Sequence, residues 1–161
     1  MRLWLSLGIV LPVFFLGVGV FSFYQTINAP KNEQQEAIEH LVMNEDEAVE
    51  VEDFHMFFGI DTIYVATVSQ DNGELYYWFY NDSYDRIERV PHADLVEADT
   101  LKNEVLESVA GAELRDIGVG YEEDEVVYEL VYTDQDNTLY YDYYTATDGG
   151  GELLKQFRLS P

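Results

Sequence analysis

Three histidines, His40, His55 and His92, are the only imidazoles in the chain. None has a second His or a Cys at ligand spacing, so none predicts a metal centre. Asp134, Asp136 and Thr138 imitate the opening of a calcium loop. The Gly and the closing Glu that such a loop needs are missing, and the stretch TDQDN (133–137) reads as a hairpin turn. The acidic run NEDEAVEVED (44–53) offers divalent cations a loose site, but a solvated helix end leading into a strand accounts for it. Carboxylates are abundant, yet nothing marks two of them as an acid and base pair. There is no GxSxG, P-loop, HExxH or GxGxxG pattern. There is also no cysteine, which excludes disulfides, thiolate metal sites and a thiol nucleophile. The residues therefore predict no catalytic group, no metal and no cofactor.

The side chains that stand out are aromatic, and their chemistry is binding. ELYYWFY (74–80) and TLYYDYY (138–144) are nearly the same line. Successive strand residues face opposite sides of a sheet. Leu75, Tyr77 and Phe79 then share one face, matched by Leu139, Tyr141 and Tyr143, and these are expected to form the core under a helix. Tyr76, Trp78 and Tyr80 share the other, matched by Tyr140, Asp142 and Tyr144. Large aromatics on an outer face are the usual anchors of a protein interface. Tyr76, Trp78, Tyr80, Tyr140 and Tyr144 are accordingly the candidate partner-binding residues. The competing reading is that this face is the contact between two domains.

The elements that would position them come from a repeat. YVATVSQDNGELYYWFY (64–80) lies over YELVYTDQDNTLYYDYY (128–144) without a gap. Upstream, EAIEHLV (36–42) and TLKNEVLESV (100–109) each show apolar residues at helical spacing. The stripes are Ala37, Ile38, Leu41 and Val42 in the first, and Leu101, Val105, Leu106 and Val109 in the second. Asp99 or Thr100 is placed to cap the second helix. Alternating strands follow, with Asn72-Gly73 as a strong hairpin signal. RIERV (86–90) and ELLKQF (152–157) close the units, and EDFHMFF (52–58) and LRDIGVGY (114–121) open their sheets. A unit of about 60 residues buries only around 60% of its unfolded surface, so two copies are expected to support each other. The predicted fold class is α+β: two tandem units, each a helix on a small antiparallel sheet.

Before the repeat, LWLSLGIVLPVFFLGVGVFSFY (3–24) carries no charge. About 20 apolar residues span a bilayer core as a helix. A signal peptide has a shorter apolar region and a small-x-small cleavage site. Here the best candidate, Ile27-Asn28-Ala29, has Ile at the wrong place and Pro30 next. The segment reads as an uncleaved single-pass anchor, with Arg2 placing the N-terminus in the cytoplasm and the remaining chain outside. The expected divisions are an anchor over 1–30, a first domain over 31–91 and a second over 92–161. The expected location is the cell membrane.

The chain carries 32 Asp and Glu against 8 Lys and Arg, a net charge of −24. Such a surface repels nucleic acid and anionic headgroups. It favours a cationic patch on a partner or bound cations, or serves solubility alone. With 47% hydrophobic and 15% aromatic residues, the chain is not a disordered polyanion.

An anchor followed by a duplicated helix-and-sheet unit resembles a known family. The stretches IYVATVSQDNGELYYWFYNDSYDRIERV (63–90) and YELVYTDQDNTLYYDYYTATDGGGELLKQFRLSP (128–161) are similar to the TseB-like (YpmB) cell wall elongation regulators of Gram-positive bacteria. The likeness runs over nearly the whole chain. The strand ending at Trp78 and the Gly-containing turn before the last strand match best. The resemblance implies a pair of PepSY-like, cystatin-like domains outside the membrane, with no catalytic residues. It implies a non-enzymatic regulator whose partner is the elongation penicillin-binding transpeptidase, with no nucleic acid or small-molecule substrate. The chain departs from that pattern in being far more acidic. The alternative function is inhibition of an extracytoplasmic peptidase, since PepSY units also occur in protease propeptides; a third is an enzyme of unrecognised type.

Overall fold

The computed structural model describes residues 33–45, 48–147 and 149–161. The proposed anchor over 1–30 lies outside the described residues. Among those described, no helix is long and apolar enough to cross a membrane.

A helix over 33–42 (α1) precedes four strands: β1 Ala48–Phe58, β2 Thr62–Gln70, β3 Leu75–Tyr80 and β4 Arg86–Pro91. After a 3-10 turn at His92–Asp94, α2 spans Ala98–Ser108. Four more strands follow: β5 Glu113–Glu122, β6 Glu125–Thr133, β7 Leu139–Thr145 and β8 Leu153–Leu159. Each set of four forms an antiparallel meander in chain order. Two antiparallel sheets with few helices are the expected α+β class. Strand alternation and tight turns produce this order, because short connections join neighbouring antiparallel strands. Gly73, at φ +80°, supplies the left-handed residue of the β2–β3 turn.

The repeat extends to irregularities. A bulge falls between Phe79 and Tyr80 in the first sheet, and its copy falls between Tyr143 and Tyr144 in the second. The extra residues opposite them are Ile87 and Leu154, and both are exposed. A bulge adds a residue to one strand and re-aims its side chains.

α2 begins after Glu97, with no side-chain cap. The expected cap from Asp99 or Thr100 is not made. Asp99 sits inside the first turn, where it suits the helix dipole, and it pairs with Lys102 one turn on. Leu101 and Val105 are buried as their stripe requires, and so are Ile38 and Val42 of α1. Leu41 is not, at 38% exposure.

The face reading of the first sheet is reversed. Register puts Phe54, Ala66 and Trp78 side by side on one face, and His55, Val65 and Phe79 on the other. The Trp78 face shares its buried cluster with Ile38 and Val42, together with Tyr64, Val68 and Tyr80. Phe79 belongs instead to the cluster holding Val119, Val127 and Tyr143 of the second sheet. The helix thus covers the Tyr76, Trp78 and Tyr80 face, and the second repeat covers the face of Tyr77 and Phe79. Alternation could not separate these outcomes, because both faces of the sheet are aromatic and both are covered. In the second sheet, the Tyr128 hydroxyl donates to the Val96 carbonyl at 2.9 Å, just before α2. The α2 side is therefore the face of Tyr128 and Leu130, which also carries Asp142.

Residues Ile38–Pro161 form one compact unit, so both repeats belong to a single body. The contact between them is made of equivalent positions. Phe57 meets Tyr143 edge to face, with ring centres 6.0 Å apart, and Phe79 meets Tyr121 at 5.7 Å. Phe57 and Tyr121 are repeat equivalents, as are Phe79 and Tyr143. His55 Nε2 donates to the carbonyl of Val119, its own equivalent 64 positions on, at 2.7 Å. This is the self-complementary pattern of a two-fold interface, built within one chain. Gly120 permits it, since a Cβ there would overlap the Phe57 ring.

Candidate partner-binding surface

The five aromatics singled out as partner contacts are turned inward or tied down. Trp78 is 0% exposed and Tyr80 is 3% exposed, both under α1. The Arg86 guanidinium lies 4.9 Å from the centre of the Trp78 ring, a cation–π contact. Burial pushes the Tyr80 phenol up to about 12, although Arg86 opposes the shift. Tyr76 is half-buried, carries Arg89 over its ring at 4.9 Å and donates to Glu74 at 3.2 Å. Tyr140 stacks on Tyr132 at 5.0 Å and donates to Asp134 at 3.0 Å. Tyr144 donates to Asp142 at 3.3 Å. Of these residues, Trp78 and Tyr80 are core, not an outer surface.

Asp142 takes the place of Trp78 in the second sheet and is 1% exposed. Its Oδ2 accepts hydrogen bonds from Tyr132, at 2.8 Å, and from Tyr144. Burial, then the hydrogen bond to Asp142, drives the Tyr132 phenol well above its usual range. The Oδ1 of the same Asp142 carboxyl is buried without a hydrogen-bond partner.

The Asp134 turn is a hairpin, as its sequence predicts. Asp134 Oδ1 accepts the amides of Asp136 and Thr138, each at 2.9 Å. Burial raises the Asp134 pKa somewhat, but these donors and Tyr140 outweigh it and hold the carboxyl below its ordinary value. Among the described residues, no group of three or more His, Asp or Glu is arranged to hold a metal ion. Part of the acidic run near 44–53 lies outside the described residues; Glu45 pairs with Arg86 at 3.2 Å.

Two features of the described surface offer contacts to a partner. β8 is an edge strand that exposes Leu153, Leu154, Phe157 and Leu159. The second is a groove of about 680 Å³ where three turns converge. Ile60 and Asp61 come from the β1–β2 turn, Asp82 and Ile87 from the β3–β4 region, Glu122 from the end of β5 and Asp124 from the β5–β6 turn. Ile60 and Asp124 are repeat equivalents, so the groove lies where the two copies of one hairpin meet. Glu122 is 5% exposed; its Oε1 pairs with Lys155, whose ammonium lies 4.5 Å over the Tyr143 ring. Its Oε2 has no hydrogen-bond partner and lies against Gly59, where a Cβ would overlap it. No sequence motif joins these residues. The available signal was the gapless repeat, which makes GID (59–61) and EDE (123–125) equivalent turns.

No protein-family profile matches the sequence, and no curated protein does. Among solved structures, the chain is similar to the YpmB protein from Bacillus subtilis, with a TM-score of 0.66 and 18% identity. The likeness covers 78% of this chain and 96% of that one. It therefore spans both repeats, and the fold of this chain is the YpmB fold to which its repeated aromatic strands pointed.

Proposed function

We propose that this protein is a membrane-anchored, extracytoplasmic regulator of cell wall elongation, acting without catalysis by binding a penicillin-binding transpeptidase. The observation that carries the reading is the likeness to YpmB over 96% of that chain, which leaves little of it unmatched. The uncharged stretch 3–24 supplies the anchor, and the two repeats serve as PepSY-like, cystatin-like units. Anchoring confines the units to the membrane surface, which raises their effective concentration at an anchored partner.

The test is co-purification of the tagged full chain from membranes of its native host, followed by labelling with a fluorescent penicillin. A labelled transpeptidase in the eluate, with altered cell length on deletion of the gene, is the expected result. An eluate free of penicillin-labelled protein, with cell shape unchanged on deletion, overturns the reading. Stoichiometric slowing of a co-purified peptidase would replace it with the inhibitor alternative.

A further inference from the structure

We propose that the groove between the Gly59–Asp61 and Glu123–Asp124 turns receives a basic segment of a protein partner, seating a Lys or Arg side chain whose stem lies on Ile60 and Ile87. The proposal rests on the binding function above only in taking the partner to be a protein. Two kinds of group line the groove, and both must be matched. Asp61, Asp82, Glu122 and Asp124 supply carboxylates, and Lys155 is already paired with Glu122. Ile60 is 74% exposed and Ile87 is 37% exposed, which asks for apolar atoms beside the charge. A lysine or arginine offers both, because its methylene stem lies along apolar surface while its head stays with the charge.

A divalent cation is the weaker fit. It would leave the isoleucines exposed, and no described set of three ligating side chains is arranged for one. The unpartnered Oε2 of Glu122 is an independent sign of unsatisfied acceptor capacity at the groove. A buried acceptor without a donor is costly, and a cationic head seated in the groove would offset part of that cost through its charge. The lip of the groove is also unusual in its backbone. Glu123 and Asp124 both hold positive φ, at 52° and 66°, in a two-residue turn where Asn-Gly is the ordinary choice.

Diffuse attraction to a chain of net charge −24 would mimic this site, so the test must separate the two. The full chain in nanodiscs of zwitterionic lipid is titrated with the fluorescein-labelled peptide Lys-Leu-Arg-Ile-Lys-Leu at about 0.15 M salt, where the Debye length is about 8 Å. The groove variant is Asp61→Asn with Asp124→Asn. The control is Asp71→Asn with Glu107→Gln, which removes the same charge from exposed positions elsewhere. We expect the groove variant to bind about tenfold more weakly, a difference of about 1.4 kcal/mol, and the control to bind as the parent does. Equal weakening in both variants overturns the proposal. So does calcium binding to the parent that is lost in the groove variant while the peptide fails to bind, which would make the groove a cation site. Penicillin-labelled co-purification is run with the same variants. A parent that captures the transpeptidase and a groove variant that captures it equally well defeat the groove and leave the proposed function standing. A parent that captures none defeats the function, and the peptide titration still decides the groove.

Discussion

Phe57 stands edge-on to Tyr143 at 6.0 Å, and the equivalent pair with the repeats exchanged, Tyr121 and Phe79, also meets, tilted at 5.7 Å. A duplicated unit has thus been joined to itself as a two-fold dimer would be. Both contacts lie in one buried cluster, so the interface is core and not a hinge between independent domains.

Phe57→Ala should then destabilise the whole protein by about 3–5 kcal/mol, the usual cost of deleting a buried aromatic. Gly120→Ala should cost about 1–3 kcal/mol, because its Cβ overlaps the Phe57 ring. The two together should cost less than their sum, since removing the ring makes room for the methyl. Urea unfolding of the four proteins checks this. Strict additivity, or separate transitions for the two repeats in the parent, would contradict a shared core.

Trp78→Ala should behave as a core mutation and not as a surface one. Trp78 is fully buried among Ile38, Val42 and Ala66, and the expected loss is about 3–5 kcal/mol. Trp78→Phe should retain much of the packing and any partner binding. A Trp78→Ala protein with unchanged urea midpoint and lost partner binding would restore the reading of this residue as an interface anchor.

Asp142 should be coupled to Tyr132. Asp142→Leu leaves the buried Tyr132 hydroxyl without its acceptor, at a cost of about 1–3 kcal/mol. Adding Tyr132→Phe should recover part of that loss, because both polar partners are then gone. A double-mutant cycle on stability measures the coupling. A cycle that closes with no coupling would show that the 2.8 Å hydrogen bond contributes nothing net.

Much of the fold was legible because local and global signals agree. Turn residues at 69–73 and 133–137, apolar stripes on both helices and a gapless repeat specify two meanders with a helix on each. The choice of face was not legible. Trp78 and Asp142 hold one repeat position, and both are buried, opposite Ala66 and Leu130. A charge in place of Trp reads as solvent exposure in sequence, but here the carboxyl is buried, with Oδ2 accepting from two tyrosine hydroxyls and Oδ1 unpartnered. The groove was illegible for another reason. Its residues come from three turns that only the contact between repeats brings together, and no spacing rule within one segment can report that.

Alkaline pH should unfold the protein through its tyrosines. Burial pushes Tyr80, Tyr128 and Tyr144 each up to about 12 in the folded state, and Tyr132 and Tyr143 are raised further. An unfolded tyrosine titrates near pH 10. A pKa raised by folding means the folded state holds its proton where the unfolded state has lost it. Stability from these groups is then complete below about pH 10. It falls as pH rises through the window up to about 12, because the unfolded state binds fewer protons there. Phenolate absorbance and far-ultraviolet circular dichroism, followed together on raising pH, test this. The partly exposed phenols should ionise first with the sheet signal intact. The buried set should follow at higher pH in one step with loss of that signal. Ionisation of every phenol near its ordinary pKa without unfolding would mean that the Tyr80, Tyr132 and Tyr143 hydroxyls are open to water, against the packing beneath the helices and between the repeats.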